Sequence, residues 1–409
     1  MADTYRPDSA EQLRELVAWA CAEEAPLEVL GRGSKRGVGR PMQAQAGVDM
    51  TGFTGIIEYE PDELILAAHA GTPLADIQAE LAAKAQDFAF EPPDLGPLLG
   101  GGAGQATIGG TVSCNLAGPR RVKSGAVRDH FLGFHAVSGR GEAFKSGGRV
   151  VKNVTGYDLC KLMCGAYGTL AVMTDVTLKV LPVAEETRTV LLVGLDEDAA
   201  VKALTAGLQS AYEVSAAAHL PADVARASGV STVKESGGAV TALRIEGPPV
   251  SVKHRAKKLA EEVLHGHGET HELQDRTSRE FWAEVRDVRP FVGLDGMAVW
   301  RISVPPAEGA GVARRLGEAV SGARYYLDWG GGLIWLAVPQ GKDAQHASVR
   351  ASLGTAGGHA TLIKADPEFR AAVPVFQPQA NGVGVLTKNL KDAFDPRRVL
   401  NPGRMYAGI

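Results

Sequence analysis

The chain has 409 residues, of which 45% are hydrophobic and 22% charged, with a net charge of −4. That length supports two or three domains with substantial cores, and the acidic balance argues against a broad nucleic-acid-binding surface. No apolar run is long enough to span a bilayer, and Met1 to Tyr5 lacks the basic and apolar regions of a signal peptide. The expected location is therefore cytoplasmic, with attachment at the inner face of the cell membrane only through a complex. Cys21, Cys114, Cys160 and Cys164 read as reduced, buried thiols. The i,i+4 pair Cys160 and Cys164 would not complete a metal site on its own.

Ser9 and Gln12 stand at capping-box spacing before a helix whose buried face is Leu13, Leu16, Val17, Ala20 and Cys21. A strand, Leu27 to Leu30, runs into the loop Gly31-Arg32-Gly33-Ser34-Lys35-Arg36-Gly37. Successive amides in such a loop can form a concave nest for an anion. It is neither a dinucleotide fingerprint, since no helical pattern follows Gly37, nor a Walker A loop. Alone it is as compatible with a surface turn as with a ligand site.

Ile56 to Glu60 and Leu64 to Ala70 read as strands around a turn. Thr72 is expected to cap a helix with Pro73 at its first position and Leu74, Ile77 and Leu81 as its buried stripe. The stretch from Phe88 to Gly104 is a proline- and glycine-rich loop whose order the sequence leaves open. Phe131 to Val137 and Glu142 to Ser146 form a hairpin, and Asp158 to Cys164 a short helix. Leu170 to Leu181 is a strand with Val172, Thr174, Val176, Leu178 and Val180 on one face. From Thr187 to about Asp366, strands and helices alternate, with a strand–helix–strand pattern in each half. This fits an antiparallel sheet covered by helices, built from two ferredoxin-like units. Residues 386–403 read as a helix followed by a tight turn.

The densest functional signal lies between Thr107 and Val180. It contains Ile108-Gly109-Gly110-Thr111, then Lys152-Asn153-Val154-Thr155-Gly156-Tyr157-Asp158-Leu159, then Gly165-Ala166-Tyr167-Gly168-Thr169-Leu170. Paired glycines let backbone approach a ligand closely and take up positive φ. Together with Gly31-Arg32-Gly33-Ser34, Phe394-Asp395-Pro396 and Leu400-Asn401-Pro402-Gly403, in this order, these segments resemble the FAD-binding (PCMH-type) domain of the vanillyl-alcohol oxidase superfamily. More narrowly, the chain resembles the E subunits of bacterial glycolate oxidase. The resemblance is strong over about the first 180 residues and the last 25, and weaker between.

The resemblance implies an α+β fold: a PCMH-type FAD-binding domain with two α/β subdomains at 1–182, and an antiparallel-sheet cap domain covered by helices at 183–385. This cap would serve substrate or docking, and a C-terminal segment at 386–409 would return to the FAD domain. It implies that Arg32, Gly33, Ser34, Lys35 and Arg36 bind the FAD pyrophosphate through backbone amides. Ile108, Gly109, Gly110, Thr111 and Asn115 would line the pyrophosphate and isoalloxazine region. Arg128 and Asp129 would buttress the following strand. Gly168, Thr169 and Val172 would approach the adenosine, and Asn401 and Pro402 the flavin edge. The first loop holds no histidine for covalent attachment, so FAD is expected to be non-covalent.

Oxidising a 2-hydroxy acid on a flavin needs a cation for the carboxylate, a base for the hydroxyl proton and a hydride acceptor. The histidine-rich metal motif of related catalytic subunits is missing here. His265, His267 and His271 form the main histidine cluster and read as a solvated helix end, so no metal is expected. Arg301 and Lys364 on strands are the candidate catalytic cations. Tyr325, Tyr326, Asp328 and Trp329 either reach the flavin or pack the core. Three functions follow. The first is a flavoprotein subunit of a glycolate oxidase complex, with a larger FAD-bearing catalytic subunit and an iron–sulfur subunit as partners. The second is a self-contained FAD-dependent 2-hydroxy-acid or alditol oxidase. The third is a structural subunit with an empty flavin site.

Overall fold

The computed structural model describes residues 3–149 and 156–409. The motif residues Lys152 to Thr155 lie outside them. The chain divides into two compact units, one of residues 1–116, 125–183 and 374–409, the other of 117–124 and 184–373. Among the described residues no helix is long and apolar enough to cross a membrane.

Among the described residues the first unit has ten strands: β1 (Asp3–Tyr5), β2 (Leu27–Leu30), β3 (Ala46–Asp49), β4 (Ile56–Glu60), β5 (Ile65–His69), β6 (Gln86–Asp87), β7 (Phe131–Ser138), β8 (Ala143–Gly147), β9 (Ala171–Lys179) and β10 (Leu181–Pro182). A small parallel sheet has the order β1-β3-β2, and a five-stranded antiparallel sheet the order β4-β5-β9-β7-β8. In central β9, Val172, Thr174, Val176 and Leu178 are all buried, as the alternation requires. The helix Ala10–Ala22 buries Leu13, Val17 and Ala20 in a core with Leu27, Val48, Val137 and Val172. Ser9 caps it by accepting the Gln12 N–H, but the Gln12 side chain reaches past Ser9 to the Asp8 N–H, 3.1 Å away.

One local expectation changes, and two segments the sequence left open are defined. Pro73, with φ −56 and ψ 132, is the cap residue of the helix Leu74–Ala82 and not its first position. The Thr72 hydroxyl is occupied instead by the Gly55 N–H (3.0 Å) and the His69 carbonyl (2.7 Å). Ile108–Cys114 is a helix, which its two glycines conceal in the sequence. Gly109 allows it to press on the end of β5, since a Cβ there would stand 2.8 Å from Ala70 Cβ and O. The Phe88–Gly104 loop is ordered: the Asp94 carboxylate takes the N–H groups of Gly96 (3.1 Å) and Gly104 (2.7 Å), and Phe88, Phe90, Leu95 and Leu98 are buried.

The second unit has eight strands: β11 (Glu186–Val193), β12 (Ala216–Leu220), β13 (Val240–Gly247), β14 (Thr270–Gln274), β15 (Met297–Ser303), β16 (Arg324–Asp328), β17 (Leu333–Pro339) and β18 (His359–Lys364). They form one antiparallel sheet in the order β14-β11-β13-β12-β16-β17-β15-β18. Each half is a βαββαβ unit, and the two orders mirror one another, so the expectation of two ferredoxin-like units matches the topology. They join where β12 meets β16 at His219 and Leu327. Elements absent from the sequence reading include β12, β14 and the helix Asp275–Arg286. That helix is highly charged outside but buries Ser278, Phe281, Trp282 and Val285. Trp282 Nε1 and Ser278 Oγ both bond Thr189 Oγ1, at 2.8 and 2.7 Å. His265 lies on a turn and His271 on the β14 edge, both exposed.

Two buried titratable groups make the second unit sensitive to acid. Burial holds the His219 imidazole down at about 4, against an ordinary 6.5, with Nδ1 2.9 Å from Thr241 Oγ1. Burial alone would raise the Glu246 carboxyl, but Arg244 and then Arg120 overcome it and hold it at about 2. A depressed histidine binds its proton more readily when unfolded. Its contribution is therefore present above the unfolded pKa and lost as pH falls through 6.5 towards 4, amounting to on the order of 3 kcal/mol. Unfolding free energies measured between pH 7 and 5 should decline, and His219→Gln should flatten that decline. The Glu246 contribution is lost only below about 4.5, so the two windows separate.

Candidate functional site

β2 carries the chain to Leu30 and into the glycine loop. Gly33 takes φ +72, and the loop closes on itself through Arg36 N–H to Gly33 O (2.9 Å) and Val38 N–H to Lys35 O (3.0 Å). Among the described residues the N–H groups of Gly33, Ser34 and Lys35 donate to no backbone carbonyl. Gly31 lies against Thr107, where any Cβ would come within 2.4 Å of Oγ1. Thr107 Oγ1 in turn accepts the Gly110 N–H at 3.3 Å. Loop and helix thus form one continuous wall.

Tyr167, Gly168 and the start of β9 contribute further lining, with Asn401 and Arg404 from the C-terminal segment. Asn401, held at φ 42, joins them: its Oδ1 accepts the Val29 N–H and its Nδ2 donates to the Tyr167 carbonyl, each at 2.8 Å. The cleft, counted with the open solvent at its mouth, holds about 790 Å³ of empty space. A second cavity also touches the loop at Leu30 to Gly33 and Arg36 and adds Arg6, Asp49 and Gln105.

The cleft is cationic. Burial lowers the pKa of the Lys35 ammonium, with Cys114 and Asp94 opposing the shift. Burial likewise lowers that of the Arg404 guanidinium, whose Nη2 donates to the carbonyls of Lys35 (3.2 Å) and Arg36 (3.1 Å). The Cys114 thiol is raised by burial, against the pull of Lys35 and Arg404, and so stays protonated at neutral pH. Arg36 instead forms a two-point pair with Glu28, its Nε 3.0 Å from Oε1.

Of the residues expected at the cofactor, Arg32, Gly33, Ser34, Lys35, Arg36, Gly109, Gly110, Gly168, Val172 and Asn401 line the cleft. Seven others do not; most of them bond within the surrounding turns and helices. Ile108 and Thr111 are buried, and Thr111 Oγ1 donates to the Thr107 carbonyl at 3.0 Å. Asn115, at φ 48, ends the helix and accepts the Arg128 N–H at 3.3 Å. Asp129 accepts the Ala126 N–H at 2.8 Å, shaping the turn into β7. The Thr169 carbonyl accepts from Lys391 Nζ at 2.7 Å, and Pro402 continues the turn behind Asn401.

The cleft also uses Met50, Thr107, Ser113, Cys114, Tyr167, Met173 and Arg404, which sequence reasoning did not select. Arg404 carried a usable signal, as a lone cation just past the Asn401-Pro402-Gly403 turn.

Arg301 and Lys364 do not form one clamp. Arg301 stands opposite Thr361 and Lys364 opposite Val299 across the β15–β18 ladder, and Lys364 Nζ already donates to Leu294 O at 3.3 Å. Tyr326 is fully buried with its hydroxyl on Val285 O (2.8 Å), and Tyr325 bonds Glu197 (2.7 Å), so both serve packing.

A fold of this kind, with a glycine-lined cationic cleft, defines a flavoprotein. The family model of an FAD binding domain matches residues 3–147. Among solved structures, 4-ethylphenol oxidase from Gulosibacter chungangensis superposes with a TM-score of 0.73 at 13% identity, over 99% of this chain and 89% of that one. The glycolate oxidase subunit GlcD of Bacillus subtilis is 24% identical over 98% of this chain and 88% of its own length. The glycolate oxidase subunit GlcE of Escherichia coli is 35% identical over 98% of this chain and 99% of its own. The chain belongs to the family of GlcE-type FAD-linked oxidoreductases, and its cofactor is FAD.

One buried pair supports the cleft from behind. Lys391 and Asp395 are both fully buried, with Nζ 2.7 Å from Oδ2. Lys391→Met should cost about 3–5 kcal/mol in denaturant unfolding, because it strands the Asp395 charge. The double change Lys391→Met with Asp395→Asn should recover part of that loss, since it removes the charge and keeps an acceptor.

Proposed function

We propose that this chain is the FAD-binding subunit of a complex that oxidises glycolate to glyoxylate, its partners being a larger FAD-bearing catalytic subunit and an iron–sulfur subunit. The observation that carries the reading is the end-to-end identity to the GlcE subunit. In this reading the complex is cytoplasmic and sits peripherally at the inner membrane face, the first unit holds the cofactor, and the second serves substrate or docking.

The cleft fits FAD on its own features. Among the described residues the amides of Gly33 to Lys35 donate to no backbone carbonyl, and Lys35 and Arg404 are desolvated cations beside them. An anion answers both deficits at once. In this assignment the pyrophosphate lies on the Gly33–Lys35 loop. Gly109 and Gly110 would allow close approach, Gly168 and Val172 would bound the adenosine side, and Asn401 the flavin edge. Bound FAD supplies the two-electron acceptor for oxidation of a CH–OH group. The chain's own contribution is to bind and orient it.

The test is the visible spectrum of the purified chain followed by anaerobic addition of glycolate. A flavin spectrum that stays oxidised alone and bleaches once the partner subunits are present is the expected outcome. Bleaching of the isolated chain would replace this reading with a self-contained hydroxy-acid oxidase. Lys35→Met should weaken FAD binding about tenfold, the scale of one charge-assisted hydrogen bond. A bound phosphate raises the depressed Lys35 pKa, so FAD binding takes up a proton once pH exceeds the pKa of the free protein. Affinity in the wild-type chain should therefore fall as pH rises through that range, and Lys35→Met should remove the slope in a fluorescence titration.

A further inference from the structure

A second cationic site lies wholly within the second unit, around Trp329. This residue follows β16 in left-handed backbone, φ 54, and Gly330 and Gly331 continue at φ 66 and 101. A bulky residue in that region is strained, and strain of this kind collects at functional positions. The residue is held once through its indole and once through its backbone. Its Nε1 donates to Gly118 O at 3.0 Å, and the Trp329 N–H donates to the Asp328 carboxylate at 2.7 Å.

Two guanidiniums are gathered on this one ring. Arg121 Cζ is 4.3 Å and Arg301 Cζ 5.0 Å from its centroid. They come from distant parts of the chain, the short helix Arg121–Ser124 and β15. The neighbouring Arg120 behaves differently: it is taken up by Glu246 in a two-point pair at 3.0 and 2.5 Å. Arg121, by contrast, is exposed and makes no ion pair among the described residues. His359, at the start of β18, lies in the same field. Burial, then Arg301, then Arg121 lower its pKa, which leaves a neutral imidazole able to hydrogen-bond at pH 7.

The aromatic face offsets part of the repulsion between the two cations, and a planar anion would offset the rest. A guanidinium fork matches a carboxylate in a flat two-point pair, and the ring gives that pair a floor. We propose that Arg121, Arg301 and Trp329, with His359 beside them, form a binding site for a small carboxylate. The site stands on this geometry; that its ligand is a 2-hydroxy acid rests on the function proposed above.

The experiment is calorimetric titration of the full chain loaded with FAD, using glycolate and oxalate, with sodium chloride as the ionic-strength control. One saturable site per chain is expected for both anions. Arg121→Gln and Arg301→Gln should each weaken binding about tenfold or more, and Arg121→Lys should fall between, keeping the charge and losing the fork. Arg121 is exposed, so its variants test binding without disturbing the core, and thermal melting would confirm this. Absence of saturable binding of either anion, or binding unchanged in both glutamine variants, would overturn the site. If oxalate binds and responds to both substitutions while the assembled complex leaves glycolate unoxidised, the site stands and the glycolate reading falls.

Discussion

The cleft depends on a lysine that never meets solvent. Lys391 Nζ donates to the carbonyls of Thr169 (2.7 Å) and Leu400 (2.8 Å) as well as to Asp395. Asp395 in turn accepts the N–H groups of Val399 (3.0 Å) and Leu400 (2.8 Å). The chain is thereby fixed on both sides of the cleft's rear, just after Gly168 and just before Asn401. Burial drives the Lys391 pKa down, and Asp395 opposes that shift. A buried pair of this sort adds little net stability, because desolvation cancels most of the attraction. Its value lies in geometry. Five directed bonds leave Asn401 one position in which to join Val29 and Tyr167.

The elements legible in the sequence were those whose period or punctuation is local. β9 announces itself by alternation, the β7–β8 hairpin by its glycine turn, and the helix Ala10–Ala22 by Ser9 and its apolar stripe. The doubled ferredoxin-like topology was legible as a repeated pattern even though only part of the first half had been recognised. What escaped was set by tertiary context. β12 is Ala216-Ala217-Ala218-His219-Leu220, with weak strand propensity, and becomes a strand because all five residues are buried between β13 and β16. β14 is polar because it is an edge. The helix Asp275–Arg286 hides four buried positions among charges.

The site divides in the same way. Motifs marked which segments meet at the cleft but not which side of each segment faces it. Within one helix, Gly109 and Gly110 line the wall while Ile108 and Thr111 are buried. Helical rotation decides this, and two glycines give it no sequence signature. At the C-terminus, Asn401 and Arg404 reach the cleft and Pro402 does not. Arg404 completes the cationic wall by gripping the Lys35 and Arg36 carbonyls, a contact between positions far apart in the chain that spacing cannot disclose.

A chain of net charge −4 nonetheless concentrates positive charge, and the way each cation is held separates structure from function. Arg120 and Arg244 face Glu246, and Arg188 faces Glu186 and Glu272 (2.5 Å). Each guanidinium there lies within 3.4 Å of a carboxylate, Arg120 and Arg244 sharing one. Lys391 is matched as well. Lys35 is held differently. With Cys114 protonated, the desolvation of Lys35 is opposed by Asp94, a carboxylate already bonded to two backbone amides. Arg404 directs Nη2 to carbonyls and keeps Glu28 at 4.0 Å. A buried cation without a close carboxylate is costly and persists when something else supplies the negative charge. In the first unit that something is the FAD pyrophosphate proposed for the glycine loop. Around Trp329 two guanidiniums gather on one aromatic ring, and the anion proposed there is flatter in shape.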